Sequence, residues 1–184
     1  MIKKVLIPVA NGVEEIETVT LIDILRRADT EVTVASVDQL NITCSRKIKL
    51  TADKLISECV DETFDLIALP GGMPGAENLN SSVILQKILR IHLNKNGLIS
   101  AICAAPCVIL ENSGFLTGKN ATCHSNFMEK MITSHYINKA VVVDNNFITS
   151  QGAGTAIDLA LTLVEILINK EKRDEISSSI MLHR

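Results

Sequence analysis

Short apolar runs alternate along this chain with longer segments of helical spacing, and that alternation leaves few folds open. Residues 5–10, 31–37, 65–69 and 98–102 are brief and rich in Val, Ile, Leu and Ala, as strands buried on both faces are. Between them, residues 14–28 set Ile16, Val19, Ile22 and Leu25 on one helical face. Residues 82–93 bring Ile84, Leu85, Ile88, Leu89 and Leu93 into phase, and residues 104–110 read as helix. Strand, helix and strand in succession imply parallel strands joined by a right-handed crossover. Repeated along the chain, the unit predicts an α/β three-layer sandwich: a doubly wound, mostly parallel sheet with helices on both faces. Residues 42–50 suit a hairpin, and Asp144-Asn145-Asn146 turns another between residues 141–143 and 147–149. Gly152-Ala153-Gly154 opens a long helix through Ile168, and residues 171–184 read as a short surface helix.

A length of 184 residues fits one domain, 1–184, with one core. The chain is 47% apolar and 21% charged, which is globular rather than disordered. A net charge of -3 without any basic block argues against nucleic-acid and membrane-surface partners. Four Phe, one Tyr and no Trp leave no platform for stacking bases. No apolar run reaches the length of a membrane-spanning helix. Met1 to Lys4 is basic, yet the apolar stretch after it is too short for a secretion signal. Five cysteines, an odd number with no C-x-x-C pair, speak against a disulfide framework and a structural zinc site. A reducing, cytoplasmic setting is the expectation.

In a doubly wound sheet, ligands collect beyond the carboxyl ends of the strands. Three turns are expected there: Asn11-Gly12, Pro70-Gly71-Gly72 and Cys103. In Ser100-Ala101-Ile102-Cys103-Ala104-Ala105-Pro106 a strand ends at the cysteine and a helix begins directly after it. A strand–nucleophile–helix elbow needs small residues two before and two after the nucleophile, because its arms nearly touch; here both are alanine. The helix start is expected to lower the thiol pKa. The N–H of Ala104, with those near Gly71 and Gly72, is expected to stabilise an oxyanion. Pro106 suits a first helical turn. A cysteine alone is more often a small core residue; the turn, the small flanks and the glycine loops together favour the nucleophile. Glu14, Glu15 and Glu17 alone read as a solvated helix start, and His124 alone as a surface residue. His92, His135 and His183 have no chemical context. Cys44, Cys59, Cys107 and Cys123 read as structural.

Ala101-Ile102-Cys103-Ala104-Ala105-Pro106 resembles the nucleophile elbow of the ThiJ/PfpI superfamily. Leu69-Pro70-Gly71-Gly72, Gly75-Ala76-Glu77-Asn78-Leu79, Gly12-Val13-Glu14-Glu15-Ile16-Glu17-Thr18, Cys44-Ser45-Arg46 and Thr149-Ser150-Gln151-Gly152-Ala153-Gly154-Thr155 resemble further segments of that family, in order along almost the whole chain. The resemblance implies a flavodoxin-like sheet. It implies Cys103 as nucleophile and oxidation-sensitive thiol, Glu17 as its proton-sharing partner, and His124 as a histidine approaching it. Gly71, Gly72 and Ala104 would line the pocket. Relatives usually have Gly at the position of Ala105, and often Pro, Arg and Pro at those of Ser125, Gln151 and Ala153. The protease branch has a histidine where this chain has Ala104, and class I amidotransferases have a His-x-Glu pair where it has His183-Arg184; both activities are disfavoured. No phosphate cradle supports a role in thiazole-phosphate synthesis.

The function so implied is a glyoxalase/deglycase that protects against oxidative and carbonyl stress. It would act on a small aldehyde such as methylglyoxal or glyoxal, or on their adducts, without metal, glutathione or nucleotide. The alternative is a redox-sensing holdase chaperone with little turnover, built on the same thiol. A homodimer is expected, with Ile16, Arg26, Arg27 and the segment around Arg46 at its interface.

Overall fold

The computed structural model describes residues 2–183; Met1 and Arg184, the ends of the expected basic segment and terminal helix, lie outside the described residues. In chain order the strands and α-helices are β1 (Lys4–Val9), α1 (Glu15–Arg27), β2 (Glu31–Ser36), β3 (Asn41–Thr43), β4 (Lys49–Thr51), β5 (Lys54–Leu55), β6 (Leu66–Leu69), α2 (Gly75–Ser81), α3 (Val83–Asn94), β7 (Leu98–Ile102), β8 (Asn120–Ala121), β9 (His135–Tyr136), β10 (Val141–Asp144), β11 (Phe147–Ser150), α4 (Ala156–Leu167) and α5 (Lys170–Ser179). A wide helical turn, Pro106–Glu111, follows β7, with Asn112 N–H donating to the Cys107 carbonyl at 3.2 Å.

The main sheet has the order β10-β11-β7-β6-β1-β2-β5. Every pair in it is parallel except β10 with β11. The chain winds outward from β1 through β2 to β5, then returns to β6 on the other side of β1 and continues to β7 and β11. The order therefore reverses between β1 and β6. Leu6, Ile7, Leu66, Ile67, Leu69 and Ile99 are fully buried in these central strands. Each contributes about 1.5–3 kcal/mol of hydrophobic stabilisation. Helices cover both faces: α1 packs on α4, while α2 packs on α3 and the Pro106–Glu111 turn. The expected hairpins form as β3–β4 and β10–β11.

The expected inward face of α1 is corrected. Ile16 and Val19 are 57% and 45% exposed, while Glu15, Glu17, Thr18, Leu21, Ile24 and Leu25 are buried. Glu17, Leu21 and Ile24 follow the i, i+4, i+7 rule and form the stripe that faces the sheet. Turning that stripe inward brings a carboxyl under the strand ends and sends two apolar side chains to the surface. In α3, Leu85, Ile88 and Leu89 are buried as expected, but Ile84 is exposed and His92 takes a buried place. There its Nε2 lies 2.8 Å from the Leu98 carbonyl. The terminal helix is anchored by Ile176, which is buried.

Candidate active site

At the reversal, the turns after β1, β6 and β7 come together. Cys103 closes β7 with φ +64, a left-handed backbone that costs a non-glycine residue about 1–2 kcal/mol. The neighbouring strand β11 and the segment after β8 hold it there. Its N–H donates to the Ser150 carbonyl at 3.0 Å, and its carbonyl accepts the His124 N–H at 2.9 Å. Ala101 and Ala105, the small flanks, are both fully buried. Gly71 presses on the elbow: a Cβ there would stand 2.6 Å from the Ile102 carbonyl oxygen and 2.7 Å from Cβ of Cys103. Gly72, at φ +85, completes the turn.

Glu17 reaches this point from the first turn of α1 and is fully buried. Its Oε2 accepts the Gly71 N–H at 2.8 Å. Among the described residues Oε1 has no N–H or O–H partner, and the carboxyl's other contact is the Cys103 thiol. Burial raises the Glu17 pKa to about 7, against the lowering effect of the Cys103 and Gly71 hydrogen bonds and with a further push from the charge of Glu14. The Cys103 thiol is pushed up to about 12, first by burial and then by the charge and hydrogen bond of Glu17. The N–H groups of Gly72 and Ala104 act in the opposite direction. The lowered thiol pKa expected from the helix start alone is thus corrected, because desolvation and a neighbouring carboxylate outweigh two N–H donors. The two groups titrate as one pair: it gives up a first proton near 7, and holds the second up to about 12. Within that range the retained proton rests mainly on the sulfur, and its transfer to the Glu17 carboxylate is what forms the thiolate.

Of the three N–H groups expected to stabilise an oxyanion, those of Gly72 and Ala104 act on the sulfur. That of Gly71 is engaged by Glu17 instead. The acidic cluster is no solvated helix start. Glu15 is buried and accepts from the Ser45 hydroxyl at 2.9 Å, from the Ile48 N–H at 3.4 Å and from the Arg46 N–H. Burial raises its pKa, but these bonds and its own N–H lower it further, so the net shift is downward. Glu14 caps α1 by accepting the Glu17 N–H at 2.8 Å. Sequence reading missed that role, although the spacing Glu14-x-x-Glu17 has the period of an N-terminal cap.

His124 begins the Ser125–Lys130 turn, and its Nδ1 accepts the Asn126 N–H at 3.2 Å. In the neutral ring the proton therefore sits on Nε2. The ring lines a hollow with Ser125, Gln151, Gly152, Ala153, Gly154 and Thr155; only its backbone N–H is bonded to Cys103. Gln151 donates to Asn138 Oδ1 at 2.8 Å. Cys44, Cys59, Cys107 and Cys123 are free and buried, whereas Cys103 is partly exposed. Burial pushes the Cys44 and Cys59 thiols up to about 11 and that of Cys123 to about 12. Among the described residues, no three His, Cys, Asp or Glu side chains cluster to hold a metal ion. No helix among them is long and apolar enough to cross a membrane.

The DJ-1/PfpI family model matches residues 3–166. The chain belongs to this family. DJ-1 homologs B and A of Arabidopsis thaliana are each 43% identical to it over 98% of its length. The chain spans 42% and 47% of those two proteins, less than half of each. A protein named glutathione-independent glyoxalase DJR-1.2, from Caenorhabditis elegans, is 32% identical, with 92% of this chain and 90% of that protein covered. The solved structure of oxidized Toxoplasma gondii DJ-1 superposes with a TM-score of 0.96 at 44% identity, covering 99% of this chain and 100% of that one. The fold of that solved structure is thus shared over nearly the whole chain.

Proposed function

We propose that the protein is a glyoxalase/deglycase that converts methylglyoxal, or a similar 2-oxoaldehyde or its early adduct, to a hydroxy acid without metal or glutathione. The observation that carries this reading is the contact between the buried Glu17 carboxyl and the Cys103 thiol. The name of the Caenorhabditis elegans relative supports it.

The thiolate of Cys103 attacks the aldehyde carbon, forming a C–S bond and a hemithioacetal. Glu17 then carries a proton from that carbon to the neighbouring carbonyl carbon through an enediol, leaving a thioester of the hydroxy acid. Water cleaves the thioester, releasing lactate when methylglyoxal is the substrate and returning the thiol. The Gly72 and Ala104 N–H groups would stabilise negative charge formed at the sulfur and the carbonyl oxygen. His124, whose backbone N–H is bonded to the Cys103 carbonyl, would assist this hydrolysis.

The test is lactate formed from methylglyoxal, free of metal, thiol and amine buffer. Wild type is expected to turn over, and Cys103→Ser and Glu17→Gln to be inactive. Full activity in either variant contradicts the mechanism.

A redox-sensing role on the same residues is supported by Glu17 Oε1, which has no other polar partner among the described residues and could bond an oxidised sulfur. It predicts that mild peroxide oxidises Cys103 to the sulfinate before any of the four buried cysteines, as peptide mass spectrometry would read. We also propose a homodimer built on the exposed Ile16 and Val19 of α1. Ile48 is also exposed, on a loop held to the start of the same helix by Glu15. Sedimentation as a monomer at micromolar concentration would refute it.

A further inference from the structure

Glu14 closes a ring of three hydrogen bonds around the Glu17 carboxyl. Its side chain accepts the Glu17 N–H at 2.8 Å. Its own N–H donates to the Gly71 carbonyl at 3.0 Å. The Gly71 N–H in turn donates to Glu17 Oε2 at 2.8 Å. The residue that caps α1 therefore holds both the backbone of Glu17 and the loop that grips its side chain. We propose that Glu14 is the positioning residue of the site, fixing the Glu17 carboxyl against Cys103 and setting, through its own charge, the pH at which the pair becomes reactive.

The charge matters as well as the cap. Among the described residues, the titratable groups acting on Glu17 are Glu14, from the start of α1, and Cys103, from the elbow; the turn after β6 contributes the Gly71 N–H. Glu14 is half-buried, so its field on Glu17 is only partly screened. A carboxylate this close opposes ionisation of Glu17 and holds a proton in the pair to higher pH. Of the two carboxyls, Glu17 meets the sulfur. Glu14 acts through it.

The inference rests on the reading of Cys103 and Glu17 as a working pair, and not on the identity of the substrate. Its test accordingly uses no substrate: the rate of Cys103 alkylation by iodoacetamide is followed from pH 5 to pH 9. Wild type is expected to show a rate that rises with a midpoint near 7, as the pair loses its first proton. Glu14→Gln keeps an oxygen to cap the helix but carries no charge, and should lower that midpoint by about half a unit. Glu14→Asp keeps both and should restore it. Glu14→Ala loses both, and should combine the lowered midpoint with a lower plateau rate. A Glu14→Gln midpoint equal to that of wild type overturns the inference, since a purely structural cap would leave it in place. A wild type with no midpoint in this range overturns the pair itself. A shifted midpoint in a protein that makes no lactate would retain the inference and remove the aldehyde chemistry.

Discussion

Two carboxyls two residues apart on α1, Glu15 and Glu17, are both buried, and their surroundings drive them in opposite directions. Glu15 faces the β3–β4 loop, where one hydroxyl and two backbone N–H groups donate to it, and its net shift favours the anion. Glu17 faces the elbow, where one N–H and a thiol meet it, and burial keeps its proton to about 7. Donor supply separates them. A buried carboxylate given enough N–H groups is an anchor; one given too few becomes a carrier of protons.

The largest effect expected from this contrast is on chemistry. Glu17→Gln should cut lactate formation at least about a hundredfold, whereas Glu15→Gln should leave kcat within about tenfold of wild type. Equal losses in both would erase the distinction.

Stability should show the reverse order. Glu15→Ala strands several donors of the 45–48 loop at once and should cost about 4 kcal/mol in urea unfolding at pH 7. The Glu15 contribution is present above its ordinary value of 4.5 and is lost as pH falls through its lower folded pKa. Glu17 has the opposite sign. Its folded pKa is raised, so the wild type loses stability as pH climbs from 4.5 through about 7. Glu17→Gln, which cannot ionise, should be more stable than wild type by about 2–3 kcal/mol at pH 8, with the difference shrinking toward pH 5. A constant difference across that range would contradict a raised pKa. The smallest effect belongs to the outer face of the same helix, where Ile16→Ser should change the monomer's stability by about 0.5 kcal/mol or less.

The sheet was readable from the sequence because β1, β6 and β7 are buried on both faces and so appear as almost wholly apolar runs, Ser100 being the buried polar residue among them. Cys103 was readable because its elbow needs small flanks, and the two alanines supply them. The face of α1 was misread for a physical reason: periodicity assumes that apolar residues point inward. This helix turns Glu15 and Glu17 inward and Ile16 and Val19 outward. Helix α2 was not expected as an element, since it follows Pro74 and buries only Gly75, Ala76 and Leu79. The role of Glu14 depends on the Gly71 loop, more than fifty positions away, and no local pattern carries a contact of that range.

The contrast between the two carboxyls is open to direct observation by infrared spectroscopy at pH 6. The account predicts a protonated-carboxyl band in the wild type that disappears in Glu17→Gln and survives in Glu15→Gln. Loss of that band in Glu15→Gln, or its absence from the wild type, would show that Glu17 is not the residue that holds the proton for Cys103.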